Sequence, residues 1–134
     1  MTSRCPTLFF HAMRIQEPTY WPGIGRGNHG QMTGRMLADI EDVLITEKPD
    51  IVMVYGDTNS TLAGALVAEK LHIPVAHVEA GLRSFNMSMP EEINRILIGQ
   101  ISSLLFSPSD TAVQNLKDEG IERRSGVTIH QSVM

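Results

Sequence analysis

Apolar positions along the chain alternate between helical stripes and short continuous runs. From about Gln31 to Lys48, Met36, Leu37, Ile40, Val43 and Leu44 recur at i, i+1, i+4, i+7 and i+8, the stripe of an amphipathic helix that must stop before Pro49. Ile51-Val52-Met53-Val54-Tyr55 then runs apolar without alternation, which predicts a parallel strand covered on both faces, ending at Gly56-Asp57. Thr58 to about Leu71 carries Leu62, Ala63, Leu66 and Val67 with small Gly64, Ala65 and Ala68, the pattern of a helix lying close on a sheet. Ile73 to Val78 predicts a second strand, with Pro74 tolerable only near its start, closed by Glu79-Ala80-Gly81. A polar stretch from Arg83 to Ser88 leads to a helix from about Pro90 to Ser102, and Leu104-Leu105-Phe106 makes a short third strand. A last helix runs from about Ser109 to Glu119 and ends on Gly120, which suits the left-handed position past a helix end. Glu122 to Met134 gives weak signals. Strand and helix alternate over short connections, so the fold class is α/β: a parallel sheet with flanking helices and right-handed crossovers.

Length and charge narrow the function. The 134 residues suit about one domain, and a formal net charge of −4 leaves no footprint for nucleic acid or anionic lipid. The single Cys5 cannot form an internal disulfide, and the five histidines show no paired metal-ligand spacing. The start holds only the brief run Leu8-Phe9-Phe10, and no stretch reaches the roughly 18 apolar residues of a membrane span. A cytoplasmic protein without structural metal is the expectation. Residues 1–30, rich in Pro, Gly and aromatics, read as loop with one short edge segment. Within them Gly25-Arg26-Gly27-Asn28-His29-Gly30 matches G-x-G-x-x-G, but Thr19 to Ile24 is short and contains Pro22, so the strand that a dinucleotide fingerprint needs is missing.

Ligands of open parallel sheets bind outside the carboxyl ends of the strands, and here that edge is acidic. Asp57 ends the first clear strand, Glu79 ends the second, and Glu91 starts the helix reached through the following loop. Converging carboxylates in different environments can divide the tasks of taking and giving a proton. Each also has a structural reading. Asp57 can cap the helix that follows it; Glu91 completes a capping-box pattern, Ser88-Met89-Pro90-Glu91, and stands four residues before Arg95 for an ion pair. Glu79 follows a buried strand and needs a partner, for which Arg83 is the nearest cation in sequence. His77, two residues before Glu79, falls on the same strand face, either as a donor beside the acid or as a satisfied buried histidine.

The string from Lys48 to Gly120 resembles the non-hydrolysing UDP-N-acetylglucosamine 2-epimerases. The resemblance is carried by Val54-Tyr55-Gly56-Asp57-Thr58-Asn59-Ser60-Thr61, by His77-Val78-Glu79-Ala80-Gly81-Leu82-Arg83, and by Pro90-Glu91-Glu92-Ile93-Asn94-Arg95. Leu105-Phe106-Ser107-Pro108 and Gly27 to Leu37 also look like family segments, so the resemblance spans about residues 8–121. It implies a partial Rossmann-like domain of a GT-B-type two-domain fold, with residues 1–134 as part of the amino-terminal half and the carboxyl-terminal UDP-binding domain absent. It further implies an isomerase that removes the C2 proton, eliminates UDP to a glucal-like intermediate and returns both on the other face, with no cofactor. Asp57, Glu79 and Glu91 match the family's catalytic carboxylates, with Arg83 and Arg95 beside Asp57 and Glu79 as substrate-binding residues. Expected partners are a UDP-sugar and a second copy of the chain in a homodimer, with no nucleic acid and no membrane. Two alternatives accompany this reading: an epimerase of a UDP-diacetamido-uronic acid, and a non-catalytic remnant that only associates with a full-length partner. Absence of the first strands would leave an apolar strand edge unpaired and lower the stability of the isolated chain.

Overall fold

The computed structural model describes residues 12–20 and 27–132. Its elements are α1 (His29–Glu47), β1 (Val52–Tyr55), α2 (Asn59–Lys70), β2 (Val75–Val78), α3 (Pro90–Ile101), β3 (Leu104–Ser107), α4 (Asp110–Asp118), a 3-10 turn (Ile121–Arg123) and β4 (Thr128–Gln131). Predicted and observed elements agree to within two residues at most ends. Chemistry sets the ends: Lys48 takes a left-handed φ of 49° after α1, and Gly120 does so at 73° after α4. The glycine-rich match at residues 25–30 falls partly outside the described residues. Its described end starts a helix, the Gln31 side chain accepting the Asn28 backbone N–H at 3.2 Å.

The strands form one parallel sheet in the order β1-β2-β3-β4. β4 is the strand that the sequence pattern does not announce. Because each strand joins its chain neighbour through a right-handed crossover, α2, α3 and α4 all fall on one side. Alternation and register place Val52, Val54, Val75, His77 and Leu105 on that side. Val54 and Val75 pack there with Leu44, Ala65, Val67, Ala68 and Ile98, while Leu105 packs with Ala80, Leu116 and Ile121.

The opposite face carries Met53, Tyr55, Ala76, Val78, Leu104 and Phe106. Among the described residues no helix covers it, and Met53 and Tyr55 are 50% and 65% exposed. Coverage of β1 on both faces, expected from its unbroken apolar run, is therefore corrected to coverage on one. Among the described residues β1 pairs with β2 alone.

One glycine is obligatory. Gly81 has φ +89°, and a Cβ there would lie 2.3 Å from the Ala112 carbonyl oxygen. The chain can turn out of β2 under α4 only where no side chain stands.

Candidate functional site

The carboxyl ends of β1 and β2 and the start of α3 bring Asp57, Glu79 and Glu91 to one edge of the sheet. Gly56, at φ +75°, bends the chain off β1, and its N–H still donates to the Val78 carbonyl at 3.2 Å. Capping of α2 falls to Thr58, whose hydroxyl accepts the Thr61 N–H at 3.3 Å. Asp57 is thereby corrected from cap to ion-pair partner. Arg95 Nε and Nη2 reach Asp57 Oδ2 at 2.9 and 2.8 Å. Both donors meet one oxygen, so Oδ1 is left to other partners. Buried Asn94 holds the same turn, its amide donating to the Asp57 carbonyl at 2.9 Å and to Asn59 Oδ1 at 3.2 Å.

Glu79 is exposed and adopts a left-handed backbone, φ 70°. Non-glycine residues in that region carry strain of about 1–3 kcal/mol and gather at functional sites. Its Oε2 lies 3.9 Å from where a Cβ on Gly56 would stand, which sets the acid over the turn that carries Asp57. The expected Glu79–Arg83 pair is absent. Arg83, with 1% of its side chain exposed, donates instead to both oxygens of Glu119 at 2.7 and 2.8 Å and to the Leu82 carbonyl at 2.7 Å. It locks the loop after β2 to the end of α4.

The capping box expected at Ser88-Met89-Pro90-Glu91 does not form either. Met89 is the N-cap, with no side-chain bond, and Pro90 opens α3. Glu91 is exposed in the first turn, and the Arg95 expected as its partner turns to Asp57 and Glu92. Freed from that pair, Glu91 presents an exposed carboxyl at a helix N-terminus, where the backbone dipole favours negative charge.

Glu92 is the residue that sequence reasoning missed. Its side chain is 1% exposed, and it accepts from the Ser84 and Phe85 backbone N–H groups at 3.0 Å each and from Arg95 Nη1 at 2.8 Å. Burial opposes its ionisation, but the donors from Ser84, Arg95 and Phe85 outweigh it and hold the carboxyl below its ordinary value. Burial likewise opposes the charge on Arg95, yet Glu92 and Asp57 raise its pKa.

His77 is 1% exposed, and its Nε2 donates to the Gly56 carbonyl at 2.7 Å. It ties the end of β1 to β2 as a buried structural histidine rather than standing as a donor beside Glu79. Burial pushes its pKa down, more than the Gly56 carbonyl and the nearby acids push it up. Among the described residues no group of three His, Cys, Asp or Glu could hold a metal ion, and no helix is long and apolar enough to cross a membrane.

This geometry gives three acids at one edge in three different surroundings: paired, strained and open. A profile of the family described as UDP-N-acetylglucosamine 2-epimerase matches residues 2–130. The chain belongs to that family. It is 61% identical over 123 residues to the UDP-2,3-diacetamido-2,3-dideoxy-D-glucuronate 2-epimerase of Pseudomonas aeruginosa, covering 92% of this chain and 35% of that protein. It is 54% identical over 127 residues to the UDP-N-acetylglucosamine 2-epimerase of Methanocaldococcus jannaschii, covering 95% and 35%. The crystal structure of that epimerase in complex with UDP-GlcNAc and UDP superposes with a TM-score of 0.86 over 93% of this chain and 34% of its own. The Neisseria meningitidis UDP-GlcNAc 2-epimerase bound to UDP-GlcNAc gives 0.83 at 32% identity, over 94% and 34%. The epimerase-family chain thus spans about a third of the length of the relatives it matches.

Proposed function

We propose that this chain forms one wall of the catalytic cleft of a UDP-sugar 2-epimerase acting on UDP-N-acetylglucosamine. One of Asp57, Glu79 and Glu91 takes the C2 proton as the C1–O bond to UDP breaks, leaving a glucal with a C1–C2 double bond. UDP oxygen then re-forms the bond at C1 while a proton is delivered to C2 from the opposite face. The three acids differ in surroundings, as a pair that must alternately take and give a proton requires. Arg83 and Arg95 are both engaged with carboxylates, so on this reading the leaving diphosphate takes its positive groups from other residues. On this reading residues 1–134 are part of an amino-terminal Rossmann-like half, the UDP-binding half lies in the two thirds of the relatives that the chain does not match, and two copies associate in the cytoplasm.

The observation that carries the proposal is that Asp57, Glu79 and Glu91, which follow β1, follow β2 and open α3, lie in a chain 54% identical to an enzyme of that name over 127 residues. Its test is a chimera in which residues 27–132 replace the matching third of the Methanocaldococcus jannaschii enzyme, incubated with UDP-N-acetylglucosamine in heavy water. Deuterium at C2 and formation of the manno epimer are expected; a folded chimera that incorporates none overturns the proposal. A second reading, epimerisation of a UDP-diacetamido-uronic acid, is favoured by the 61% identity to the Pseudomonas aeruginosa enzyme. The same chimera given that substrate decides between them by the ratio of kcat/KM.

A further inference from the structure

Resting on that reading, we infer that Glu92 is a positioning residue that couples the loop between Glu79 and Glu91 to the carboxylate of Asp57 through Arg95. A buried carboxylate on the first turn of a helix is costly unless donors converge on it. Here three do, and they come from two directions. Ser84 and Phe85 belong to the loop that leaves Glu79 and returns to Glu91, and their backbone N–H groups end on Glu92 at 3.0 Å each. Arg83 anchors the start of that loop on Glu119, but its middle stands out from the fold: Phe85 is 78% exposed and sits at φ 57°. From the other side, Arg95 spends Nη1 on Glu92 and Nε with Nη2 on Asp57 Oδ2. Two carboxylates thus fix the planar fork of one guanidinium. Without Glu92, Arg95 keeps a single partner and several rotamers, and the loop loses the acceptor of two successive amides. All three acids then lose their fixed spacing while none of them is altered.

Glutamine at this position keeps the volume but presents one oxygen and one N–H2 where three donors arrive, so it cannot accept them all. The experiment compares the wild-type chain with Glu92→Gln and Glu92→Asp by NMR, with circular dichroism to verify the fold. In folded Glu92→Gln the Ser84 and Phe85 amides should exchange at least about tenfold faster, and the Arg95 Nε–H should lose its protection while core amides of β2 keep theirs. Glu92→Asp, which retains the charge, should restore part of both. In the chimera the same Glu92→Gln change should lower kcat for C2 exchange by about 30- to 100-fold with KM changed less than about threefold, as expected for misplacement of reacting groups by an ångström or less. Unchanged exchange at Ser84, Phe85 and Arg95 Nε–H in folded Glu92→Gln overturns the inference, as does unchanged kcat. If Glu92→Gln does not fold, Arg95→Gln decides: the Asp57–Asn59 turn should lose protection while Ser84 and Phe85 keep theirs, and equal loss in both overturns the coupling. A chimera inactive without any change at Glu92 counts against the proposed function, and the NMR signals still decide the role of Glu92.

Discussion

At the scale of single residues, the acids of the candidate site were legible and their partners were not. Asp57, Glu79 and Glu91 could be placed because strand ends and helix starts can be read from apolar runs, and parallel sheets present ligands at that edge. Partner choice is a long-range matter. Arg95 stands four residues from Glu91 and three from Glu92, and both spacings favour a pair; Asp57, 38 residues away in sequence, decides the outcome by fixing the direction of the guanidinium. Glu92 has no signal of its own, since an acid in the first turn of a helix is ordinary on an exposed face. His77 gives a testable consequence. Its pKa is lowered mainly by burial, so the unfolded chain binds the proton more readily and stability falls as pH drops below the unfolded value of about 6.5. Urea unfolding between about pH 5 and 7.5 should show stability rising with pH and levelling above about 6.5. In His77→Asn that slope should flatten, while an unchanged slope would assign it to other groups.

At the scale of elements, each helix and strand that packs on a neighbour was legible, and the exception explains why. β4 has only the half-buried Ile129 to mark it, with Val127 just before it and Thr128, His130 and Gln131 exposed. An edge strand of that kind offers neither an apolar run nor a clean alternation, and only its backbone pairing to β3 reveals it. The local ends of helices are more informative. Sequence places the cap of the last helix at Ser107-Pro108; in the structure it is Ser109, whose hydroxyl accepts the Ala112 N–H at 3.2 Å and starts α4, the helix that carries Leu116 into the core. Ser109→Ala should lower stability by about 1 kcal/mol in urea denaturation, with the Ser109–Ala112 end of the helix losing amide protection first. A loss below about 0.3 kcal/mol would mean that packing rather than the cap sets the start of α4.

At the scale of the whole molecule, the sheet is asymmetric among the described residues: helices on one side, Met53, Tyr55, Val78, Leu104 and Phe106 on the other. The apolar run of β1 signals burial on both faces, and sequence alone could not show that the described helices supply only one. Purified chain should therefore bind an apolar reporter dye at neutral pH while keeping its near-ultraviolet dichroism, separating it from a molten state. Met53→Lys with Tyr55→Lys should remove most of the dye signal with little change in helix content. Dye binding that survives both substitutions would place the accessible apolar surface elsewhere.

The strand order β1-β2-β3-β4 has a kinetic side. Among the described residues each strand pairs with its neighbour along the chain, so loop-closure entropy for these pairings is met in steps of similar size. As a nascent chain emerges from the ribosome, β2 can dock on β1 as soon as α2 is free, and each later strand extends the strip. That order lets the described strip grow outward from β1, each βα unit offering a paired edge to the next.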